Sequence, residues 1–393
     1  MNILYVIPTL GAGGAEVMLC QIIENLHRRG NNIMLILIHP LHETFENIPN
    51  HQFILENIDI QYVELKTKIS WIGIKVNNDE FKDLVNKFNP EIIHSHLFEA
   101  EVLSRSYFHN KTNYFSHFHD NMFQLRKIKL RSLISFKSII HYIERLWLLK
   151  KYQNDRTLFL GISSDTIDFM KNNFPKSFSQ KIIYFPNAIN FKQIQCQSIY
   201  LKGDKKSNFH KKLSLISIGN LVEKKNHFLL IKIASELLKR GVEFEVNILG
   251  FGPLKKELEE LKNKLNLDKQ VFFRGSVGNV VEYLSKSNLY IHTAKYEPFG
   301  LVLLEAMAAG LPVITFDGKG NRDLIQQGDN GYMIYEENPE LFVDRILHLW
   351  NNTQEYARIS KNAIEFSKQY DIENYTNKLL ELYQSALNEK TNS

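Results

Sequence analysis

The feature that most constrains this chain is a local pattern that occurs twice: a short apolar run, a glycine-containing turn, then an amphipathic helix. Near the start, residues 3–7 (Ile-Leu-Tyr-Val-Ile) lead into Gly11-Ala12-Gly13-Gly14 and a helical pattern over 15–29. Past the middle, Leu215-Ile216-Ser217-Ile218 runs into Gly219 and Asn220-Leu221-Val222-Glu223-Lys224-Lys225. An apolar strand of this kind must be covered on both faces, so each start predicts a parallel sheet with helices on either side. Further strand patterns alternate with helical ones, at 33–38, 60–65, 92–96, 114–118, 158–162 and 182–185, then at 244–249, 271–275, 289–293 and 312–316. A chain of 393 residues has room for two such domains. The predicted fold class is α/β, with two doubly wound parallel sheets. The boundaries read as a first domain over 1–191, a polar, lysine-rich linker over 192–212, a second domain over 213–370, and a last helix over 371–393.

Composition excludes little. A net charge of +5 is too mild to argue for nucleic acid. Two distant cysteines, Cys20 and Cys196, point to a reducing compartment and no structural zinc site. The amino terminus reads as a first strand rather than a signal peptide, and no apolar run approaches the ~18 residues that spanning requires. A cytoplasmic protein is expected.

The second half holds the most informative stretch, Glu297-Pro298-Phe299-Gly300-Leu301-Val302-Leu303-Leu304-Glu305, closed by Gly310-Leu311-Pro312. Pro298 suits the first turn of a helix, which puts Glu297 at its mouth and leaves the N–H groups of Phe299, Gly300 and Leu301 for an anion or polar ring. Glu305 would lie roughly 12 Å further along the axis. An ionised carboxylate can accept from both hydroxyls of a diol, so two at this separation suit a nucleotide sugar, with its pyrophosphate between. The plain alternative is a core helix carrying two surface glutamates.

In the first half the glycine turn offers backbone to a phosphate, but Glu16 stands where the dinucleotide fingerprint has its third glycine. His94-Ser95-His96 and His117-Phe118-His119-Asp120 end two strands, and i, i+2 residues share a face. Three readings stay open: a metal site from both pairs with Asp120, histidines satisfied at strand ends, or a ligand contact by His119. Residues 126–156 are basic, and Leu133, Phe136, Ile140, Ile143 and Trp147 recur at helical spacing. That face either packs on its own sheet or lies on an anionic membrane.

The Glu297–Glu305 stretch resembles the Glu-x7-Glu motif of retaining glycosyltransferases of the GT-B fold, above all glycosyltransferase family 4. Gly13-Gly14-Ala15-Glu16 is similar to that family's donor-facing loop, His119-Asp120 to its strand end beside the donor sugar, and Pro186-Asn187-Ala188 to its Pro-Asn-Gly turn. Gly219-Asn220-Leu221 with Lys225 resembles its Gly-Arg-Leu…Lys pattern, with Asn220 replacing the pyrophosphate-binding arginine. Gly318-Lys319-Gly320 resembles its Gly-Gly turn, and Gly250 sits in the turn after a strand. The match is dense over 215–335 and sparser before.

The resemblance implies two Rossmann-like domains facing a cleft, and transfer of a sugar from a nucleotide diphosphate donor, UDP by preference, to a hydroxyl of a saccharide or lipid-linked saccharide. Glu297 would hold the sugar, Glu305 the ribose, and Lys225, the 299–301 amides, Gly13-Gly14 and Gly250 the diphosphate region, with Arg322 a candidate to replace the missing arginine. His119 would assist. No Asp-x-Asp clamp is present, so no metal or other cofactor is expected, and no nucleic-acid partner. Peripheral contact of 126–156 with the inner membrane face is a further expectation. The alternatives are another GT-B enzyme, such as an epimerase or phosphorylase, and a sugar-nucleotide-binding protein without turnover.

Overall fold

The computed structural model of the chain describes residues 1–388 except 12, 49, 71–72, 128–134, 154–155 and 203–211. It separates into two compact units, Met1–Pro186 with Tyr375–Ser393, and Asn187–Asn374.

In the first unit a sheet runs in the spatial order Asp59–Tyr62, Asn32–Leu37, Asn2–Ile7, Ile92–His96, Asn113–Phe118, Thr157–Gly161, Ile182–Tyr184. Every pairing in it is parallel. The second unit has the order Val271–Gly275, Phe244–Leu249, Leu213–Ile218, Leu289–His292, Val313–Phe316, Gly331–Ile334, again all parallel. Both sheets bear out the α/β reading. Their central strands are buried along nearly their whole length, as strands covered by helices on both faces must be. An antiparallel hairpin, Lys66–Ser70 with Gly73–Asn77, is additional; its strands are mostly exposed and lysine-bearing, so no apolar alternation marks them.

Sheet order decides where sites can form. Chain order reverses between Asn2–Ile7 and Ile92–His96 in the first unit, and between Leu213–Ile218 and Leu289–His292 in the second. Loops leaving the carboxyl ends of such neighbouring strands diverge to opposite faces and open a crevice. Gly11, Gly13 and His96 stand at the first crevice, and the Gly219–Lys225 and Thr293–Glu297 loops at the second.

Two expectations are corrected. Residues 192–202 are not irregular linker: Phe191–Lys202 is a helix, and the Gln195 amide donates to the Ala308 carbonyl at 2.8 Å within the second unit. Its buried stripe is only Phe191, Ile194 and Ser198, too narrow to read as a period among polar neighbours. The remainder of the expected linker, 203–211, lies outside the described residues. In the basic segment, Phe136–Lys151 is a helix whose Leu148 and Leu149 join a core with Phe118, Tyr152 and Phe159. Phe136, expected on the apolar face, is exposed, and Leu133 lies outside the described residues. No helix among the described residues is long and apolar enough to cross a membrane.

Candidate active site

The second crevice is built around Glu297. Its N–H donates to the Gly318 carbonyl (2.9 Å), which lays the 297–300 segment alongside the 318–320 turn. From the other side, Lys295 N–H donates to the Lys224 carbonyl and Thr293 Oγ1 to the Lys225 carbonyl, at 2.9 and 3.1 Å. These bonds bring Lys225 to Glu297. Lys225 Nζ donates to Glu297 Oε2 at 2.5 Å, and His292 Nε2 donates to the same oxygen at 2.9 Å. Burial alone would raise the Glu297 carboxyl; Lys225 and His292 reverse that and hold it at about 2. His292 is itself pushed down by burial against the pull of Glu297, so it serves as a neutral Nε2–H donor. Glu297 is therefore an ionised carboxylate pinned through Oε2, while Oε1 has no partner among the described residues.

The helix after it starts later than Pro298 predicts. It spans Leu301–Ala308, with Gly300 as its N-cap at φ 105°. The delay follows from the contact with the 318–320 turn, which holds Glu297 in a bridge and is followed by a bend at Pro298 and Phe299. The N–H groups of Phe299, Gly300 and Leu301 donate to no described acceptor, so the expected cluster of open donors is present. Glu305 lies in the second turn, has no partner among the described residues, and is pushed up to about 7 by burial.

The other expected residues divide. Gly250, at φ 137°, abuts the strand-end loop so closely that a Cβ would stand 2.1 Å from the Gly219 carbonyl oxygen; its glycine is required by that backbone contact. Asn220 is exposed, and its side chain makes no hydrogen bond among the described residues. Arg322 is not brought to Asn220: its guanidinium grips Asp317 with Nε–Oδ1 2.7 Å and Nη2–Oδ2 2.6 Å. His292, Thr293 and Tyr290 escaped the sequence reading. Their signal was positional, polar side chains at the end of an apolar strand that borders the reversal of chain order.

In the first unit Gly13 caps the helix Gly14–Arg28, and the Glu16 carboxylate turns back against it. The four histidines form one buried column. His94 and His96 stack with centroids 4.5 Å apart, His94 and His117 at 5.3 Å, and His117 and His119 at 4.3 Å. His96 Nδ1 is 2.8 Å from His119 Nε2, and His94 Nδ1 is 2.5 Å from the Tyr383 hydroxyl, which also meets Tyr5. Burial keeps all four neutral, with His119 at about 3 and the others well below their ordinary value. Ligand atoms of His94, His96 and His117 come within 4.8 Å of one another, without Asp120. Stacked rings at 17–22° present their nitrogens side by side rather than toward one point, which suits a packed column better than a metal ligand set.

Comparison with known proteins fits this geometry. The family of group 1 glycosyl transferases matches residues 202–366, the unit that holds Glu297. The chain is 26% identical over 329 residues to the poly(glycerol-phosphate) alpha-glucosyltransferase of Bacillus subtilis, covering 81% of this chain and 43% of that protein. It is 32% identical over 170 residues to the poly(ribitol-phosphate) alpha-N-acetylglucosaminyltransferase of Staphylococcus aureus, covering 43% of this chain and 34% of that one. The chain thus spans less than half the length of these two relatives. Among solved structures, Anabaena HepE in complex with UDP and glucose superposes with a TM-score of 0.74 at 18% identity, over 98% of this chain and 100% of that one. TarM superposes with a TM-score of 0.72 at 14% identity, over 98% and 99%. With two parallel-sheet units of this topology, the fold is GT-B.

Proposed function

We propose that the protein is a retaining glycosyltransferase of the family 4 type, moving a sugar from a nucleotide diphosphate donor, UDP by preference, to a hydroxyl of a saccharide or lipid-linked acceptor. The observation that carries this is Glu297, an ionised carboxylate with one oxygen fixed by Lys225 and His292 and the other open. An acceptor oxygen beside three open N–H donors matches sugar hydroxyls next to a phosphate. Glu305 would take the ribose hydroxyls. Lys225 and the 299–301 amides would stabilise charge developing on the leaving diphosphate, and no enzyme nucleophile is invoked. His119 and the Gly13-Gly14 loop enter on the family resemblance.

The relatives' names favour a polyol-phosphate polymer as acceptor class. UDP is favoured because HepE was solved with it. We place the enzyme in the cytoplasm, working without a metal.

Thermal melting against UDP-, GDP- and ADP-sugars, with and without EDTA, tests the reading. One nucleotide class should raise the melting temperature by mass action, with EDTA making no difference. No shift with any donor, or a shift abolished by EDTA, would overturn the donor assignment or its metal independence respectively.

A further inference from the structure

The first unit holds a second concavity, opening at the end of the sheet's strands opposite to His119. It has a volume of about 840 Å³ and is lined by Arg105, Trp147, Lys150, Lys151, Arg156 and Thr157, with Tyr107, Phe108 and Tyr114 completing the wall. Tyr114 and Thr157 lie at the amino ends of Asn113–Phe118 and Thr157–Gly161, whereas His119 follows the carboxyl end of the former. At ~3.3 Å per residue Tyr114 and His119 are roughly 17 Å apart, at opposite ends of one strand.

Four cations and no described carboxylate line this cavity. Lys150 and Lys151 have no anionic partner among the described residues. Burial, and then the neighbouring Lys150, pull Lys151 below its ordinary value, as expected where positive charges crowd. Buried polar atoms add a second, independent sign. Arg105 is 5% exposed; its Nη2 donates to Ser116 Oγ (2.6 Å) and lies 3.7 Å from Glu101 Oε2, yet Nε and Nη1 are buried with no hydrogen-bond partner. Thr157 is fully buried, and its Oγ1 likewise has none. Around these atoms, the Phe108 ring stacks on Tyr114, and Lys151 lies over Trp147.

We propose that this cavity binds phosphate groups of a phosphodiester-linked polyol or glycan. Several cations around one cavity call for repeated negative charge, and arginine with lysine is the combination that recognises phosphate oxygens. Aromatic faces suit the CH edges of the intervening polyol. A site at the amino ends of the strands would anchor a polymer rather than present the reacting hydroxyl. The same glycerol-phosphate chemistry occurs in a phospholipid headgroup, so the source must be separated by experiment. Binding here needs no sugar transfer and stands apart from the donor reading.

The test is isothermal titration of the whole protein at low salt with three probes: a glycerol-phosphate oligomer, phosphatidylglycerol vesicles, and neutral dextran. Lys150→Glu with Lys151→Glu is the variant, since both residues are exposed and neither makes an ion pair among the described residues. Lys256→Glu, on the second unit, is the control, and melting curves verify folding. We expect the oligomer to bind wild type and the control equally, the double variant to bind at least tenfold more weakly, salt to reduce binding, and dextran not to bind. Vesicle binding with the same tenfold loss, and none of the oligomer, would assign the cavity to a lipid headgroup. Equal oligomer binding by variant and wild type, or no phosphate probe bound at low salt, would overturn the proposal.

Discussion

Glu305 gives the most quantitative handle on the donor site. In the free protein its carboxyl is pushed up to about 7 by burial and has no hydrogen-bond partner among the described residues. If it holds the ribose, the ionised form must accept from two hydroxyls, and accepting them returns the group to an ordinary carboxylate range. Donor binding then releases a proton near neutrality. A nucleotide sugar carries no group that titrates between pH 6 and pH 8, so the protein alone sets the effect. With the free group at about 7, it is about nine-tenths protonated at pH 6 and about nine-tenths ionised at pH 8. Affinity should therefore fall about tenfold from pH 8 to pH 6, or ~1.4 kcal/mol. The sign for folding is opposite. A carboxyl raised above its unfolded value favours the folded state below about 4.5, and that contribution is lost as pH rises through about 7. Titration calorimetry with UDP-glucose in buffers of different ionisation enthalpy reads both affinity and proton release. Glu305→Gln should bind more weakly at pH 8 and show no pH dependence or proton release. A wild-type affinity flat across this range, or a Glu305→Gln variant that keeps the pH dependence, would refute the assignment.

Three further outcomes are expected. Lys225→Ala leaves the buried Glu297 charge with only a neutral histidine, and should cost about 3–5 kcal/mol in urea unfolding; Lys225→Met combined with Glu297→Gln should recover much of it, and a single variant of wild-type stability would contradict the pairing. Gly250→Ala meets both a φ of 137° and the Gly219 carbonyl, so the melting temperature should drop by the equivalent of about 2–4 kcal/mol; an unchanged melt would show that the two loops are not packed as described. His119→Ala should keep donor-induced thermal stabilisation while transfer falls by about a hundredfold or more, and unchanged turnover would remove His119 from the chemistry.

Much of the fold was legible because its signals are local. Apolar runs at 3–7 and 215–218, each followed by glycine and a helical period, require parallel sheets covered on both faces whatever else the chain does. The Glu297–Glu305 stretch was legible for a similar reason, since proline, glycine and carboxylate spacing all belong to one segment. Where local signals weakened, the reading failed. The helix Phe191–Lys202 has a stripe of three buried residues and passed for linker. The mostly exposed strands Lys66–Ser70 and Gly73–Asn77 left no alternation to read.

The tertiary structure decided what each charge does. Nothing in the order of residues places Lys225 and His292 on one oxygen of Glu297, because that contact depends on two loops meeting where the sheet reverses its chain order. Local spacing puts Arg322 near Asp317, but only the fold shows that its Nε and Nη2 both donate to that carboxylate. The helix starts at Leu301 rather than Pro298 because a turn some twenty residues later in the chain holds Glu297 extended. Sequence alone determined the architecture and the segment that carries the carboxylates, since both follow from periodicity and backbone preference. The ionisation of those carboxylates depends on burial and partners distant in sequence, and was settled only by folding.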